Sequence, residues 1–266
     1  MARAIQNLAG ISIMRAGQFL SAGLIALGCI ASLSGSKANA MGVYPVVMEF
    51  QEGGSLKSTL RVTNDGAKIL PVEFTVTRAD IDENGKVSTT PAGGTFAIFP
   101  PTASIAAGKS QVFQVRWNGG AALTQSQTYL LSVNELPVKF PQSNSGMQLV
   151  MQFSVIVNVA PRGAKATIDL ITASIGKDET GAKRPQLLVE NKGTRHVSLG
   201  DASITLSDGS WSQTLPQVRL RQILGAGLVL PGKRRRFTLP ITLPAHVRSL
   251  KARIDYQNLA PASPSK

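Results

Sequence analysis

Short segments of alternating apolar and polar residues follow one another along most of this chain. Phe113, Val115 and Trp117 occupy every second position, so they share one face of a predicted strand. Gln114 and Arg116 take the opposite face. Further strands are predicted at residues 58–63, 72–77, 96–99, 129–134 and 147–159. Short strands separated by turns over about 120 residues are typical of an immunoglobulin-like β-sandwich.

The strand pattern breaks at Pro161 and Gly163 and then resumes. The second series of predicted strands covers residues 167–173, 187–190, 197–206, 219–224, 235–243 and 250–256. We therefore expect an all-β protein with two immunoglobulin-like β-sandwich domains, residues 41–161 and residues 162–257. Residues 258–266 have the Pro- and Ser-rich composition of a disordered tail.

The first 40 residues have the pattern of a secretory signal peptide. Arg3 and Arg15 precede an apolar run at residues 19–31, and Ala38 and Ala40 form an A-x-A cleavage pattern. A membrane span needs roughly 20 apolar residues, and this run is shorter and interrupted by Gly and Ser. We expect a mature periplasmic protein without stable membrane insertion.

Two alternatives concern this N-terminal region. Residues 1–13 are long for the basic part of a signal peptide, so translation from Met14 is an alternative to translation from Met1. A lipid on Cys29 is an alternative to cleavage after Ala40. It is disfavoured because Ala26 stands where the lipidation motif has Leu.

Residues that carry catalytic or metal chemistry are scarce. The chain has one cysteine, Cys29, and two histidines, His196 and His246. Metal sites built from Cys and His are therefore excluded, and the sequence has neither a Gly-rich phosphate loop nor a G-x-S-x-G motif. We expect no enzymatic activity, no cofactor and no metal. The net charge of +13 favours anionic partners for an exported protein rather than nucleic acid.

Two charged segments have more than one interpretation. Residues 80–85 (DIDENG) resemble part of a calcium loop, but Ala92 stands where the final acidic ligand belongs, so we predict a solvated hairpin. Residues 232–236 (GKRRR) form the strongest charge cluster. They predict a solvated turn, with a docking patch for an acidic partner or lipid headgroups as the alternative.

A series of short motifs gives the first domain a specific resemblance. The motifs are residues 62–65 (VTND), 98–101 (IFPP), 107–108 (AG), 111–117 (QVFQVRW), Tyr129 and residues 134–137 (NELP). In this order, behind a signal peptide and before a second β domain, the chain resembles the periplasmic pilus-assembly chaperones of the chaperone–usher pathway, as a divergent, archaic-type member. The resemblance implies two sandwiches in an L-shaped arrangement, capture of pilus subunits and their delivery to an outer-membrane usher.

In this family, the last strand of the first domain completes the sandwich of a captured subunit. The resemblance assigns this donor strand to residues 146–154, with Met147, Leu149, Met151 and Phe153 as its apolar row. The alternative is that the row is only the core face of the chain's own first domain, because alternation indicates a buried face of either origin.

Familiar members of the family also carry two basic residues that bind the subunit's terminal carboxylate. Here the corresponding positions are Val47 or Met48 and a position near Ile156, and none of them is basic. Arg116 is the candidate replacement, since its guanidinium matches a carboxylate with two parallel hydrogen bonds. An ordinary exposed strand arginine is the alternative.

Two other functions fit an exported immunoglobulin-like protein. A structural pilus subunit usually has one sandwich, often a disulfide, and an N-terminal donor segment, whereas this chain has two predicted domains and no disulfide. An adhesion or carbohydrate-binding module needs exposed aromatic residues, and the chain has only two Trp and three Tyr.

Overall fold

The computed structural model describes residues 41–119, 122–137 and 150–256 and shows an all-β protein with two sandwiches. The strands of the first sandwich are β1 (Met41–Tyr44), β2 (Val47–Gln51), β3 (Lys57–Asn64), β4 (Leu70–Ile81), β5 (Val87–Pro91), β6 (Phe96–Phe99), β7 (Thr102–Ile105), β8 (Ser110–Trp117), β9 (Gln127–Glu135) and β10 (Gln152–Ala160). One sheet has the order β1-β3-β8-β6. The other has the order β2-β10-β9-β4-β5, and β7 also pairs with β4.

Two segments of the first sandwich change from one sheet to the other. β1 and β2 are joined through the cis peptide Tyr44–Pro45, and β6 and β7 through the cis peptide Phe99–Pro100. The alternation of residue types does not mark these changes, because a strand keeps its period of two in either sheet. The first sandwich therefore contains more strand segments than the pattern predicted.

The predicted core face of β8 is confirmed. Phe113 and Val115 are fully buried and Trp117 is 6% exposed, whereas Gln114 and Arg116 are exposed. Phe113 contacts the ring of Phe74 from the opposite sheet, with ring centroids 4.7 Å apart. The two sheets thus enclose one hydrophobic core, as the alternation along β8 and β4 indicated.

The second sandwich is smaller. Its strands are β11 (Ile168–Lys177), β12 (Lys183–Asn191), β13 (Val197–Ser198), β14 (Ala202–Ser207), β15 (Ser212–Leu215), β16 (Leu228–Val229), β17 (Arg234–Thr238) and β18 (Lys251–Tyr256). They form sheets of order β11-β12-β17 and β15-β14-β18, with β13 paired to β16. Leu187, Val189, Ile204 and Leu206 are fully buried in a core separate from that of the first sandwich.

One predicted strand of the second sandwich is wrong. Residues 219–224 belong to a helix, α1 (Gln217–Leu224), which ends at Gly225 with a φ of 58°. Leu220 is fully buried, and Ile223 and Leu224 pack against the same core. Their spacing of three and four residues is the period of a helix rather than of a strand, and a glycine with positive φ is a common helix end.

Other strand boundaries also differ from the prediction. Residues 197–206 do not form one strand, because a 3-10 helix at Leu199–Asp201 separates β13 from β14. β17 ends at Thr238, before Pro240, instead of continuing to residue 243. The long strand predicted at residues 147–159 is β10 in its described part, and residues 147–149 lie outside the described residues.

The predicted processing and tail segments, residues 1–40 and 258–266, lie outside the described residues. Within the described part of the chain, no helix is long and apolar enough to cross a membrane.

Candidate functional site

The edge of β10 is paired along only half of its length. β9 pairs with β10 from Gln152 to Val159, whereas β2, on the other edge, pairs only from Ile156 to Ala160. No described strand lies against the second edge of residues 152–155. This half of β10 is an open sheet edge, the kind of surface to which another chain adds a strand.

The backbone groups that face the open edge can be assigned by alternation. Ile156 N donates to Val46 O at 3.0 Å, and Ala160 O accepts from Glu52 N at 2.9 Å. The even-numbered residues of β10 therefore direct their N–H and C=O groups toward β2. The same groups of Gln152 and Ser154 point to this side, where the strand has no described neighbour.

The apolar row of β10 leaves the core of its own sandwich toward the N-terminal end. Val155, Val157 and Val159 are fully buried. Met151 and Phe153, at the start of the same row, are half-buried and only pack against the margin of that core. The two described members of the predicted row, Met151 and Phe153, thus lie outside the fully buried core that begins at Val155, and the use of the row as a donor strand stays a prediction.

Three exposed apolar residues lie shortly before β2 and β10 along the chain. Tyr44 is 74% exposed, Val46 is 52% exposed and Val150 is 48% exposed. Val46 accepts the bond from Ile156 N at the point where the pairing with β2 begins. Adjacent exposed apolar side chains commonly mark a protein interaction surface.

Contacts between the two sandwiches come from the same sheet that contains β10. The carboxylate of Glu49, on β2, lies 3.1 Å from His196 Nε2 and 3.5 Å from Arg195 Nη2 of the second sandwich. Asn158 Nδ2, on β10, donates to Glu49 Oε1 at 2.8 Å, and Thr128 donates to Asn158 Oδ1 at 2.7 Å. This network fixes the closed half of β10 to the second sandwich. The sequence offers no local signal for it.

The two charged segments of the sequence, residues 80–85 and residues 232–236, are in contact with each other. Lys233 Nζ lies 3.0 Å from Asp80 Oδ2, and Arg236 forms an ion pair with Glu83 and donates its backbone N–H to Glu83 O at 2.6 Å. The hairpin and the turn form as predicted and their charged side chains stay partly exposed, but several of these side chains are also paired with each other. The hairpin joins the second sandwich, and most of the basic run is engaged within the chain rather than free for a partner.

The calcium alternative for the hairpin finds no support in its geometry. Asp82 Oδ1 accepts the backbone N–H groups of Asn84 and Lys86, both at 2.9 Å, which is the hydrogen bonding of a tight turn. Among the described residues, no group of three or more His, Cys, Asp or Glu side chains is placed to hold a metal ion.

Comparison with known proteins decides the family. Residues 41–165 match the model of the family described as pili and flagellar-assembly chaperone, PapD N-terminal domain. The first sandwich therefore is a domain of the pilus-assembly chaperone family. The predicted recognition is confirmed, and the match is to chaperones, so the alternatives of a structural pilus subunit and an adhesion module are not favoured. A search of curated proteins found no match.

Solved structures support the same fold. The chaperone is similar to the SafB chaperone in complex with the SafA pilin of Salmonella enterica, with a TM-score of 0.52, 17% identity and coverage of 77% of this chain and 86% of that one. It is similar to the YadV chaperone, with a TM-score of 0.50, 15% identity and coverage of 80% and 91%. A chaperone–tip adhesin complex of CFA/I fimbriae biogenesis matches with a TM-score of 0.50, 10% identity and coverage of 84% and 94%.

The positions expected to carry the family's basic pair lie side by side in this chaperone. Val47 and Ile156 are direct partners in the register of β2 and β10. Ile156 packs against Ile81, Leu228 and Leu230 in a small apolar cluster between the sandwiches. Ile156, one of the two positions where the family resemblance implies a basic residue, therefore makes apolar contacts instead.

Arg116, the candidate replacement, lies in the other sheet of the first sandwich. It is on β8, opposite Lys57 of β3 and Ala97 of β6. Its side chain is exposed, and Nη2 donates to Asn118 Oδ1 at 3.4 Å. The structure does not bring it next to β10, and its role as an anchor stays a prediction. Met147 and Leu149 lie outside the described residues, so their part in the donor row stays a prediction too.

Proposed function

We propose that this chaperone captures pilus subunits in the periplasm by adding β10 to their incomplete sandwich, and that it delivers them to an outer-membrane usher. The printed descriptions of similar structures name a SafA pilin bound to its chaperone and a chaperone–tip adhesin complex. Chaperones of this pathway act in the periplasm, which agrees with the signal peptide predicted at residues 1–40.

The observation that carries the proposal is the open edge of residues 152–155, together with an apolar row that leaves its own core there. Proteins usually block an exposed edge with charged residues or proline. Residues 150–155 (VMQFSV) contain neither. An unblocked edge next to the exposed Val46 is prone to pair with another chain and suits a strand that pairs with a partner.

Strand addition explains how one short segment both binds and protects a subunit. A subunit that lacks its last strand exposes a groove and an unpaired edge, which aggregate if left open. The backbone of β10 supplies hydrogen bonds to that edge, and alternate side chains fill the groove. In this proposal Met147, Leu149, Met151 and Phe153 enter the groove. Methionine suits a strand that accepts several subunits, because its side chain is flexible.

The test of this proposal is the variant Leu149→Glu. An unpaired neutral polar group in an apolar environment costs about 2–7 kcal/mol, and an unpaired carboxylate costs more. We therefore expect loss of subunit capture in a pull-down and an unchanged thermal melt of the isolated chaperone. Gln114→Glu, a change at an exposed position of β8 in the other sheet, is the control.

The result that would overturn strand donation is a stable Leu149→Glu variant that captures subunits as well as the wild type. An unfolded first sandwich would instead favour the interpretation of the row as a simple core face. Capture by Gln114→Glu should match the wild type, since this substitution adds a charge away from β10.

Export is tested separately by the intact mass of the protein recovered from the periplasm. We expect a chain that begins at Met41, because Ala38 and Ala40 form the cleavage pattern. A mass that includes a diacylglyceryl group on Cys29 would contradict this expectation.

A further inference from the structure

A polar cavity of 320 Å³ lies between the two sandwiches, beside the hairpin of β4 and β5. The first sandwich contributes Arg78, Ser88, Thr90 and Gln127, and the second contributes Lys233. These side chains carry guanidinium, ammonium, hydroxyl and amide groups, all of which donate hydrogen bonds. Asp80 also lines the cavity, but its carboxylate is paired with Lys233. The remaining polar side chains favour a ligand that accepts several hydrogen bonds at once.

The two cations of the cavity differ in their partners. Lys233 Nζ is 3.0 Å from Asp80 Oδ2, so an acid already balances its charge. Arg78 forms no ion pair with any acidic side chain in the described ranges. Arg78 faces Thr90 on one neighbouring strand and Tyr129 on the other. The cavity lining thus has an excess of one positive charge, located on Arg78.

The pKa of Tyr129 indicates that the charge of Arg78 lies nearby. Burial raises the pKa of the Tyr129 hydroxyl, and the nearby Arg78 charge opposes that rise. The Tyr129 hydroxyl donates to Gln127 Oε1 at 2.5 Å. Arg78 is therefore close enough to Tyr129, the core residue that follows the cavity-lining Thr128, to act on it electrostatically.

We propose that this cavity binds a small oxyanion, a phosphate, sulfate or carboxylate group, with Arg78 as its principal ligand. The planar guanidinium donates two parallel hydrogen bonds to two oxygens of such a group. Ser88 and Thr90 supply hydroxyl donors, and Lys233 reaches the anion from the second sandwich. Asp80 limits the affinity, because it shares Lys233 and repels an anion.

The experiment uses the mature chaperone without any subunit. Inorganic phosphate is titrated by calorimetry at constant ionic strength, with chloride as the balancing anion. We expect saturable binding to the wild type that is at least about tenfold weaker in Arg78→Gln, as the loss of a charge-assisted hydrogen bond implies. Asp80→Asn should bind phosphate more tightly, because it releases Lys233 and removes the repulsion.

The control is Arg61→Gln, an exposed arginine of β3 in the other sheet, which should bind phosphate like the wild type. The proposal is overturned if the wild type shows no saturable binding, or if Arg61→Gln and Arg78→Gln weaken binding equally.

Parallel titrations with acetate and succinate distinguish the sources of the anion. Preference for phosphate indicates a free inorganic ion, and equal or tighter binding of carboxylates indicates a carboxylate ligand. The site does not depend on the proposed strand donation. Leu149→Glu should lose subunit capture and keep phosphate binding, so the two proposals fail separately.

Discussion

The two halves of β10 have the same alternation of residue types but different neighbours. Ile156–Ala160 lies between β9 and β2, and its inward side chains Val157 and Val159 are fully buried. Residues 152–155 have β9 on one edge and no described strand on the other. The comparison shows that one continuous strand can belong to a core at one end and offer a free edge at the other.

The two halves of β10 should also differ in what they contribute, the closed half to stability and the open half to partner binding. Two sets of contacts hold the closed half. It pairs with β2, and Asn158 donates a hydrogen bond to Glu49, whose carboxylate also contacts His196 of the second sandwich. The open half is fixed on one side only, where Met151 O accepts Glu135 N at 2.9 Å. Changes in the closed half should therefore act on folding, and changes in the open half should act on partner binding.

The largest effect is expected from Val157→Asn, compared with Met151→Asn. Val157→Asn removes a fully buried side chain and buries an unpaired amide, which together cost about 4 kcal/mol of unfolding free energy. Met151→Asn, at a half-buried position, should cost less than about 1 kcal/mol. Urea unfolding of the mature chaperone measures both values, and equal losses would remove the distinction between the halves.

The second-largest effect is expected on subunit capture, from a residue that lies outside β10. If Arg116 holds the carboxylate of a subunit, Arg116→Ala should weaken subunit capture by about 2–5 kcal/mol. The thermal melt should not change, because the side chain is exposed and its one hydrogen bond, to Asn118, is 3.4 Å long. Arg61→Ala, on the adjacent strand, is the control. Capture equal to that of the wild type would exclude Arg116, and Lys57 and Arg78 would then be tested.

The smallest expected effect comes from a pair of prolines. Ile156→Pro removes the N–H that donates to Val46 O at 3.0 Å, and the loss of that bond should cost about 1–3 kcal/mol of unfolding free energy. Ser154→Pro removes an N–H that faces the open edge, where proline is tolerated, and the 3.1 Å hydrogen bond between Ser154 Oγ and Ser132 Oγ. The isolated chaperone should therefore lose only about 1 kcal/mol of unfolding free energy. Subunit capture by Ser154→Pro should decrease, since the partner loses a backbone donor. A loss of stability in Ser154→Pro equal to that in Ile156→Pro would show that the edge is not open in solution.

The sequence predicted the fold well where its signals are local. The period of two along β8 identified Phe113, Val115 and Trp117 as core, and the structure buries all three. Local signals were misread at α1, where the spacing of Leu220, Ile223 and Leu224 favours a helix, and at two strands of the second sandwich that are shorter than predicted. The motifs that carry the family resemblance are also local, and the family match of residues 41–165 confirms them.

The candidate site was predicted only in part, because pairing between distant strands has no local signal. Alternation identified the apolar row of Met151 and Phe153, yet a row of this kind has the same pattern whether a core or a partner covers it. The point at which β2 stops pairing, at Ile156, depends on where a distant segment of chain lies.

What the sequence determined by itself is therefore the all-β class, the core face of individual strands and the family. The tertiary structure decided which edge stays open and which charges meet. Glu49 with His196, and Glu83 with Arg236, are separated by 147 and 153 residues along the chain. The physical reason is that side-chain alternation is a property of a few consecutive residues, whereas strand pairing and ion pairing depend on distances that only the folded chain sets.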